Sequence, residues 1–137
     1  MDYDFDGRKY EKASVHQKEW GSSIIATLEF RGDEKILDLG CGDGLLTSRI
    51  ADLVPGGEVV GIDGSRVMIE AAREKVRPNL RFMLLDINDI EFEGEFDVVF
   101  SNAALHWIKD HGKLLRNVAR ALRPDGRVRF NFAADGN

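Results

Sequence analysis

From Lys35 onward, short aliphatic and β-branched runs alternate with longer segments whose apolar residues recur at helical spacing. That alternation is the mark of βαβ units wound around a parallel sheet, because each strand must be buried on both faces by the helices that connect it to the next. Five strand runs are expected: Lys35 to Leu39, Glu58 to Asp63, Leu80 to Leu85, Phe96 to Phe100 and Gly126 to Phe132. Between the first two, Leu45, Leu46, Arg49 and Ile50 follow a helical period until Pro55-Gly56-Gly57 stops it. Ser65 is the expected N-cap of a second helix, with Val67, Met68, Ala71, Ala72 and Val76 on one apolar face and Pro78-Asn79 at its end. A third helix is expected from Asp110 to Leu122, with Leu114, Leu115, Val118 and Leu122 turned inward and a Pro124-Asp125-Gly126 turn behind it. One more helix near Gln17 to Leu28 precedes the sheet. Right-handed crossovers then favour an α/β, Rossmann-like, doubly wound and mostly parallel sheet of order 3-2-1-4-5, with a ligand crevice at the carboxyl ends of the strands.

Length and charge narrow the function. The chain has 137 residues, 43% of them hydrophobic, which suits a single domain with one core. The expected division is a cap region at 1–30 and a Rossmann-like core at 35–132. A net charge of -5, with no long Lys/Arg run, lacks the basic stripe of a nucleic-acid binder, so no nucleic-acid partner is expected. No apolar stretch approaches the roughly 20 residues that span a bilayer, and a cytoplasmic location without a membrane partner is expected. Cys41 is the single cysteine, which rules out an internal disulfide, and His16, His106 and His111 show no metal-ligand spacing. No metal is expected.

The chemistry concentrates in Leu37-Asp38-Leu39-Gly40-Cys41-Gly42-Asp43-Gly44. A strand that ends in Gly-x-Gly-x-Gly lets the backbone turn tightly and approach a ligand with no Cβ in the way. Taken alone, such a loop is weak evidence, with a plain strand-to-helix turn as its alternative. Asp63 closes the second strand roughly twenty residues later, where a carboxylate can accept hydrogen bonds from ribose hydroxyls. With Asp38 and Asp86 it would form a row of acids at the ends of successive strands, although a single strand-end aspartate is commonly only a turn former. The sign of the row discriminates among nucleotide cofactors. Carboxylates repel the pyrophosphate of NAD and attract the sulfonium and ammonium of S-adenosylmethionine, and the glycine spacing departs from the dinucleotide-binding Gly-x-Gly-x-x-Gly.

Three segments, Ile36 to Gly44, Val60-Gly61-Ile62-Asp63-Gly64-Ser65 followed by Met68, and Phe100-Ser101-Asn102-Ala103-Ala104-Leu105-His106-Trp107, resemble class I S-adenosylmethionine-dependent methyltransferases. The last is most similar to the trans-aconitate methyltransferase group, which methylates small carboxylic acids. The likeness runs from about Tyr10 to Phe132. It implies S-adenosyl-L-methionine as cofactor, with Asp38, Gly40, Cys41 and Gly42 around the methionine end and Asp63 on the ribose. It further implies Gly64 and Met68 beside the adenine, Asp86 and Ile87 at its exocyclic amine, and backbone carbonyls of Asn102 and Ala103 near the ammonium and the methyl. Tyr10, Ser14, Gln17 and Trp20 resemble the cap of this group, and Trp107 is a further aromatic candidate; both tryptophans and Tyr10 are equally read as core-packing rings. His106 stands where a Gln is common and is the candidate general base, although a carboxylate acceptor needs none. Cys41 reads as a small loop filler rather than a nucleophile.

The implied activity is methyl transfer to a small-molecule acceptor, with O-methylation of a carboxylic acid as the subgroup's chemistry. A non-catalytic or weakly catalytic cofactor-binding module and an NAD-dependent oxidoreductase stay as alternatives. The resemblance also predicts two further strands after the fifth, so the chain is expected to be truncated, with strand five as an exposed edge carrying Phe130 and Phe132 and inviting self-association.

Overall fold

The computed structural model describes residues 28–102 and 108–131. Within them lie β1 (Lys35–Leu39), α1 (Leu45–Leu53), β2 (Glu58–Asp63), α2 (Arg66–Ala72), β3 (Leu80–Leu84), β4 (Phe96–Ser101), α3 (His111–Ala121) and β5 (Leu122–Phe130). Short 3-10 turns at Arg73–Lys75 and Ile87–Asp89 complete the order. The five strands form one sheet, β3-β2-β1-β4-β5, and every ladder in it is parallel, as the alternation requires.

Period-two alternation decides what each face of the sheet buries. Ile36, Val59, Leu80, Val98 and Phe100 join Ile50, Ala51 and Val54 of the first connection and Ile69 and Ala72 of α2 in one core layer. Leu37, Leu39, Val60, Ile62 and Val99 point the other way and join Leu114, Val118 and Ala121 of α3. Helices therefore cover both faces. Ile36, Leu37 and Leu39 of the central strand are fully buried, each contributing about 1.5–3 kcal/mol.

Caps fix where the helices begin. Ser65 Oγ accepts from Met68 N at 3.3 Å, and Asp110 Oδ1 accepts from Lys113 N at 3.0 Å. α1 opens instead on Gly44 in the left-handed region, and Asp43 Oδ1 accepts from Leu45 N. Its last carbonyls are met from a distance in sequence: Asn79 Nδ2 donates to the carbonyls of Ala51 and Val54. Asn79, expected to end the second helix, thus satisfies the end of the first.

Three sequence expectations are corrected. α2 ends at Ala72, so Val67 (45% exposed) and Val76 (52%) are not on its buried face, which is Met68, Ile69 and Ala72. Leu115 is 58% exposed, because the inward stripe of α3 runs Leu114, Val118, Ala121 and a residue one position along is turned by about 100°. Leu122 begins β5, paired with Phe96, and the ladder then jumps to Val98 opposite Arg127. The expected Pro124-Asp125-Gly126 turn falls inside that break, where extra residues leave the ladder as in a bulge. Phe130 packs against the α3-side core rather than standing free, while Phe132 lies outside the described residues.

Between Gly42 and Gly44, the packing dictates the size of Gly44. Its φ is +81°, and a Cβ there would stand 2.7 Å from Phe82 Cζ and 3.1 Å from Ala72 Cβ. Gly42, at φ +59°, would point a Cβ at nothing within 4 Å among the described residues. Gly44→Ala should accordingly lower stability by about 2–4 kcal/mol, and Gly42→Ala by only about 1–2 kcal/mol of backbone strain. Urea denaturation of the two variants checks this; equal losses would mean that the Phe82 contact does not limit Gly44.

Candidate functional site

The turn after β1 is tied to β2 by its backbone. The carbonyl of Ile62 accepts from both Gly40 N, at 2.9 Å, and Cys41 N, at 2.8 Å. One residue further on, Asp63 Oδ2 accepts from Gly42 N at 2.9 Å while its Oδ1 accepts from Ser65 N at 2.8 Å. A single half-buried carboxylate thereby bridges the glycine loop and the entry to α2. Each oxygen keeps a second lone pair for a hydroxyl donor.

The next strand end lies alongside. A Cβ on Gly64 would touch Asp86 Cα at 3.7 Å, so the β2 and β3 exits run together. Asp86 Oδ1 accepts from both Asn88 N and Asn88 Nδ2 at 2.8 Å, which orients the 3-10 turn, and Asn88 Oδ1 accepts from Lys109 N. Met68 and Ile87 are both about nine-tenths buried and supply apolar surface at these exits. Lys75 Nζ donates to the carbonyl of Asp43 at 2.8 Å and pins the outer end of the glycine loop.

Asp38 departs from the expected row of acids. It shares the parity of Ile36, so its side chain turns toward α1, where it is 2% exposed and accepts from Thr47 Oγ1 at 2.7 Å. Burial pushes its carboxyl up to about 7; the Thr47 bond opposes the shift and the charge of Asp63 adds to it. The open acids are therefore Asp63 and Asp86, with Asp38 behind them as a group poised between its neutral and charged forms. Cys41 is buried in the α1-side core, and burial first, then the nearby Asp38 and Asp63, push its thiol far up. It is a filler without thiolate character.

At the other end of the edge stand two side chains with unmet polar atoms. Asn102 Oδ1 and Asn131 Nδ2 are buried and have no hydrogen-bond partner among the described residues. Leaving such an atom unpaired costs about 1–3 kcal/mol, which a ligand group of the opposite kind would recover. Asn102 was reached from sequence through its backbone; Asn131 was not reached at all, since it falls inside the expected fifth strand with no motif around it. The structure thus brings Asp38, Gly40, Cys41, Gly42, Asp63, Gly64, Met68, Asp86, Ile87 and Asn102 to neighbouring strand exits. Tyr10, Ser14, Gln17, Trp20, Ala103, His106 and Trp107 lie outside the described residues. Among the described residues no group of three or more His, Cys, Asp or Glu could hold a metal, and no helix is long and apolar enough to cross a membrane.

The donor set fits a cationic nucleoside. A Cβ-free bend opens onto space at Gly42, a carboxylate with spare lone pairs sits beside it, and the orphaned oxygen at Asn102 can accept from an ammonium.

Known proteins of the same pattern agree. A family described as a methyltransferase domain matches residues 36–126. The trans-aconitate 2-methyltransferase of Deinococcus radiodurans is 44% identical over 82% of this chain and 43% of its own. The malonyl-[acyl-carrier protein] O-methyltransferase of Acetivibrio thermocellus is 31% identical over 96% of this chain and 47% of its own. The solved S-adenosylmethionine-dependent methyltransferase of Mesorhizobium loti superposes with a TM-score of 0.68, at 32% identity, over 80% of this chain and 51% of that one. The chain spans about half the length of the curated relatives it matches. With its 3-2-1-4-5 sheet and its glycine loop beside a strand-end aspartate, the chain belongs to the class I S-adenosylmethionine-dependent methyltransferases.

Proposed function

We propose that this chain holds S-adenosylmethionine along the carboxyl edge of its sheet for methyl transfer to a carboxylate oxygen of a small acid. The observation that carries the cofactor part is the Asp63 bridge: a carboxylate fixed from both sides, next to the unobstructed face of Gly42. The acceptor class rests on two relatives whose names specify trans-aconitate and a malonyl group, both of them acids.

In this reading Asp63 takes the ribose hydroxyls, and the backbone of Gly40 and Gly42 follows the methionine end, with Cys41 filling space beneath. Met68, Gly64 and Ile87 flank the adenine, and Asp86 addresses its exocyclic amine. Asn102 and the backbone of Ala103 would address the cationic end, with the buried Asp38 behind the loop contributing only through its charge. When bound, the cofactor would supply an electrophilic methyl for transfer to an acceptor oxygen. A carboxylate is ionised at neutral pH, so the protein's share is to align it and exclude water. Tyr10, Gln17, Trp20 and Trp107 would cover the site, and His106 would serve as general base only for an acceptor that must lose a proton.

The alternative reading is cofactor binding without transfer. Counting radiolabelled methyl passed to a panel of small acids decides between the two, with transfer favouring the first and cofactor binding without transfer the second.

Asp63→Ala should weaken S-adenosylhomocysteine binding by about 1.5–3 kcal/mol, roughly ten- to a hundredfold, in titration calorimetry. Asp63→Asn, which keeps one acceptor, should fall between the two. Unchanged affinity in both variants would remove Asp63 from the site.

Asp38 adds a pH signature. Its folded pKa of about 7 lies above its unfolded value of 3.8, so between those limits the folded chain holds the extra proton. Its contribution to stability is complete below pH 4 and is lost as pH rises through 7. Urea midpoints of the cofactor-free chain, compared with Asp38→Asn, should therefore diverge toward high pH, with the variant gaining on the order of 2–4 kcal/mol relative to its position at pH 4. A pH-independent difference would mean that Asp38 is ionised in place.

A further inference from the structure

Hydrogen bonding places Asn131 directly beside Asn102. β4 and β5 run in parallel with Ser101 opposite Phe130, and Asn131 N continues the ladder by donating to the carbonyl of Ser101 at 2.7 Å. The next residues on each strand, Asn102 and Asn131, are thus neighbours at the carboxyl edge. Both carry a buried amide atom with no partner, and the two atoms are opposite in kind: an acceptor oxygen on Asn102 and a donor nitrogen on Asn131. They are complementary yet not bonded to one another.

Their order along the edge gives this difference a direction. Asp86 and Asp63 leave β3 and β2, the glycine loop leaves β1, Asn102 leaves β4 and Asn131 leaves β5. With strands roughly 4.8 Å apart, Asn131 stands about 10 Å from the β1 exit, on the side away from the ribose-binding acid. A cofactor laid from Asp63 across the glycine loop presents its cationic end toward β4 and the methyl acceptor must come from beyond it. An amide oxygen suits the cation; an amide N–H suits the carboxyl oxygens of an acid.

We propose that Asn131 is an acceptor-binding residue, its side-chain N–H donating to a carboxyl oxygen of the small acid, while the Asn102 side-chain oxygen meets the cationic end of the cofactor. This rests on the small-acid reading above. A neutral amide suits the task because it orients a carboxylate without placing a second cation beside the sulfonium, against which like charge would act.

The test uses the chain loaded with S-adenosylhomocysteine, titrated with trans-aconitate and malonate. Asn131→Asp, equal in shape but without the donor and with a negative charge, should weaken acid binding tenfold or more and leave S-adenosylhomocysteine affinity within twofold of the parent. Asn131→Ser, which keeps a donor, should recover part of the loss. In the unaltered chain the Asn131 side-chain amide resonances should move on adding the acid, a readout that does not depend on any variant folding. If the unaltered chain binds neither acid, the small-acid reading fails and takes this proposal with it. If it binds them and Asn131→Asp binds equally well, or if the Asn131 resonances stay still, the proposal alone fails. A parallel loss of acid and S-adenosylhomocysteine affinity in Asn131→Asp also overturns it, since that would make Asn131 a support of the edge as a whole.

Discussion

The hold of β2 on the glycine loop is the constraint on which the site depends. A run with glycines at alternate positions has large conformational freedom, and Gly40, Gly42 and Gly44 sit at positive φ, where an ordinary side chain would be strained. Three successive N–H groups, of Gly40, Cys41 and Gly42, are bound by the carbonyl of Ile62 and the carboxylate of Asp63. The loop is thereby ordered before any ligand arrives. The same Asp63 caps the approach to α2 through Ser65 N, so loop, strand end and helix entry share one anion. Moving that carboxylate would disturb all three, which is why a residue read as a ligand contact is also a structural one.

Two aspartates of equal intrinsic chemistry are separated by this arrangement. Asp63 is solvated enough and bonded enough to accept donors from a ligand. Asp38 is enclosed by the α1-side core, with Thr47 as its donor and Asp63 as its charged neighbour. A cation brought against the pair would favour the ionised form of Asp38, and in the proposed reading the cofactor would supply the energy of that ionisation. The cost of burying a carboxyl thus becomes sensitivity to a positive ligand.

Much of this was legible because the strands are buried on both faces. Continuous runs such as Glu58 to Asp63 can be nothing else in a chain of this size, and the strand order follows from handedness once five of them alternate with helices. Helix faces were less legible. Val67, Val76 and Leu115 are as apolar as their buried neighbours, and only packing against a particular strand decides which side of a short helix turns inward. The inward turn of Asp38 was available in principle, since period two gives it the parity of Ile36; reading it only as a strand-end acid overlooked that. Asn131 had no such signal. Its role depends on the ladder break at Pro124-Asp125-Gly126, which sets the β5 register and hence which residue of that strand comes level with Asn102.

That break also explains how a strand can carry a polar edge residue without exposing its core. After the extra residues leave the ladder, Val128 and Phe130 re-enter register with Val99 and Ser101, and the strand ends at that last pair. A ladder without the break would bring a different residue level with Asn102 and would move alternate side chains to the opposite face. The polarity along the carboxyl edge, carboxylates at β2 and β3, a bare backbone at β1 and amides at β4 and β5, is thus a consequence of register as much as of composition. Negative charge lies at one end, where in the proposed reading ribose and adenine would offer donors. Neutral donors and acceptors lie at the other, where an incoming acid would be repelled by a carboxylate and where a fixed cation would compete with the sulfonium for it.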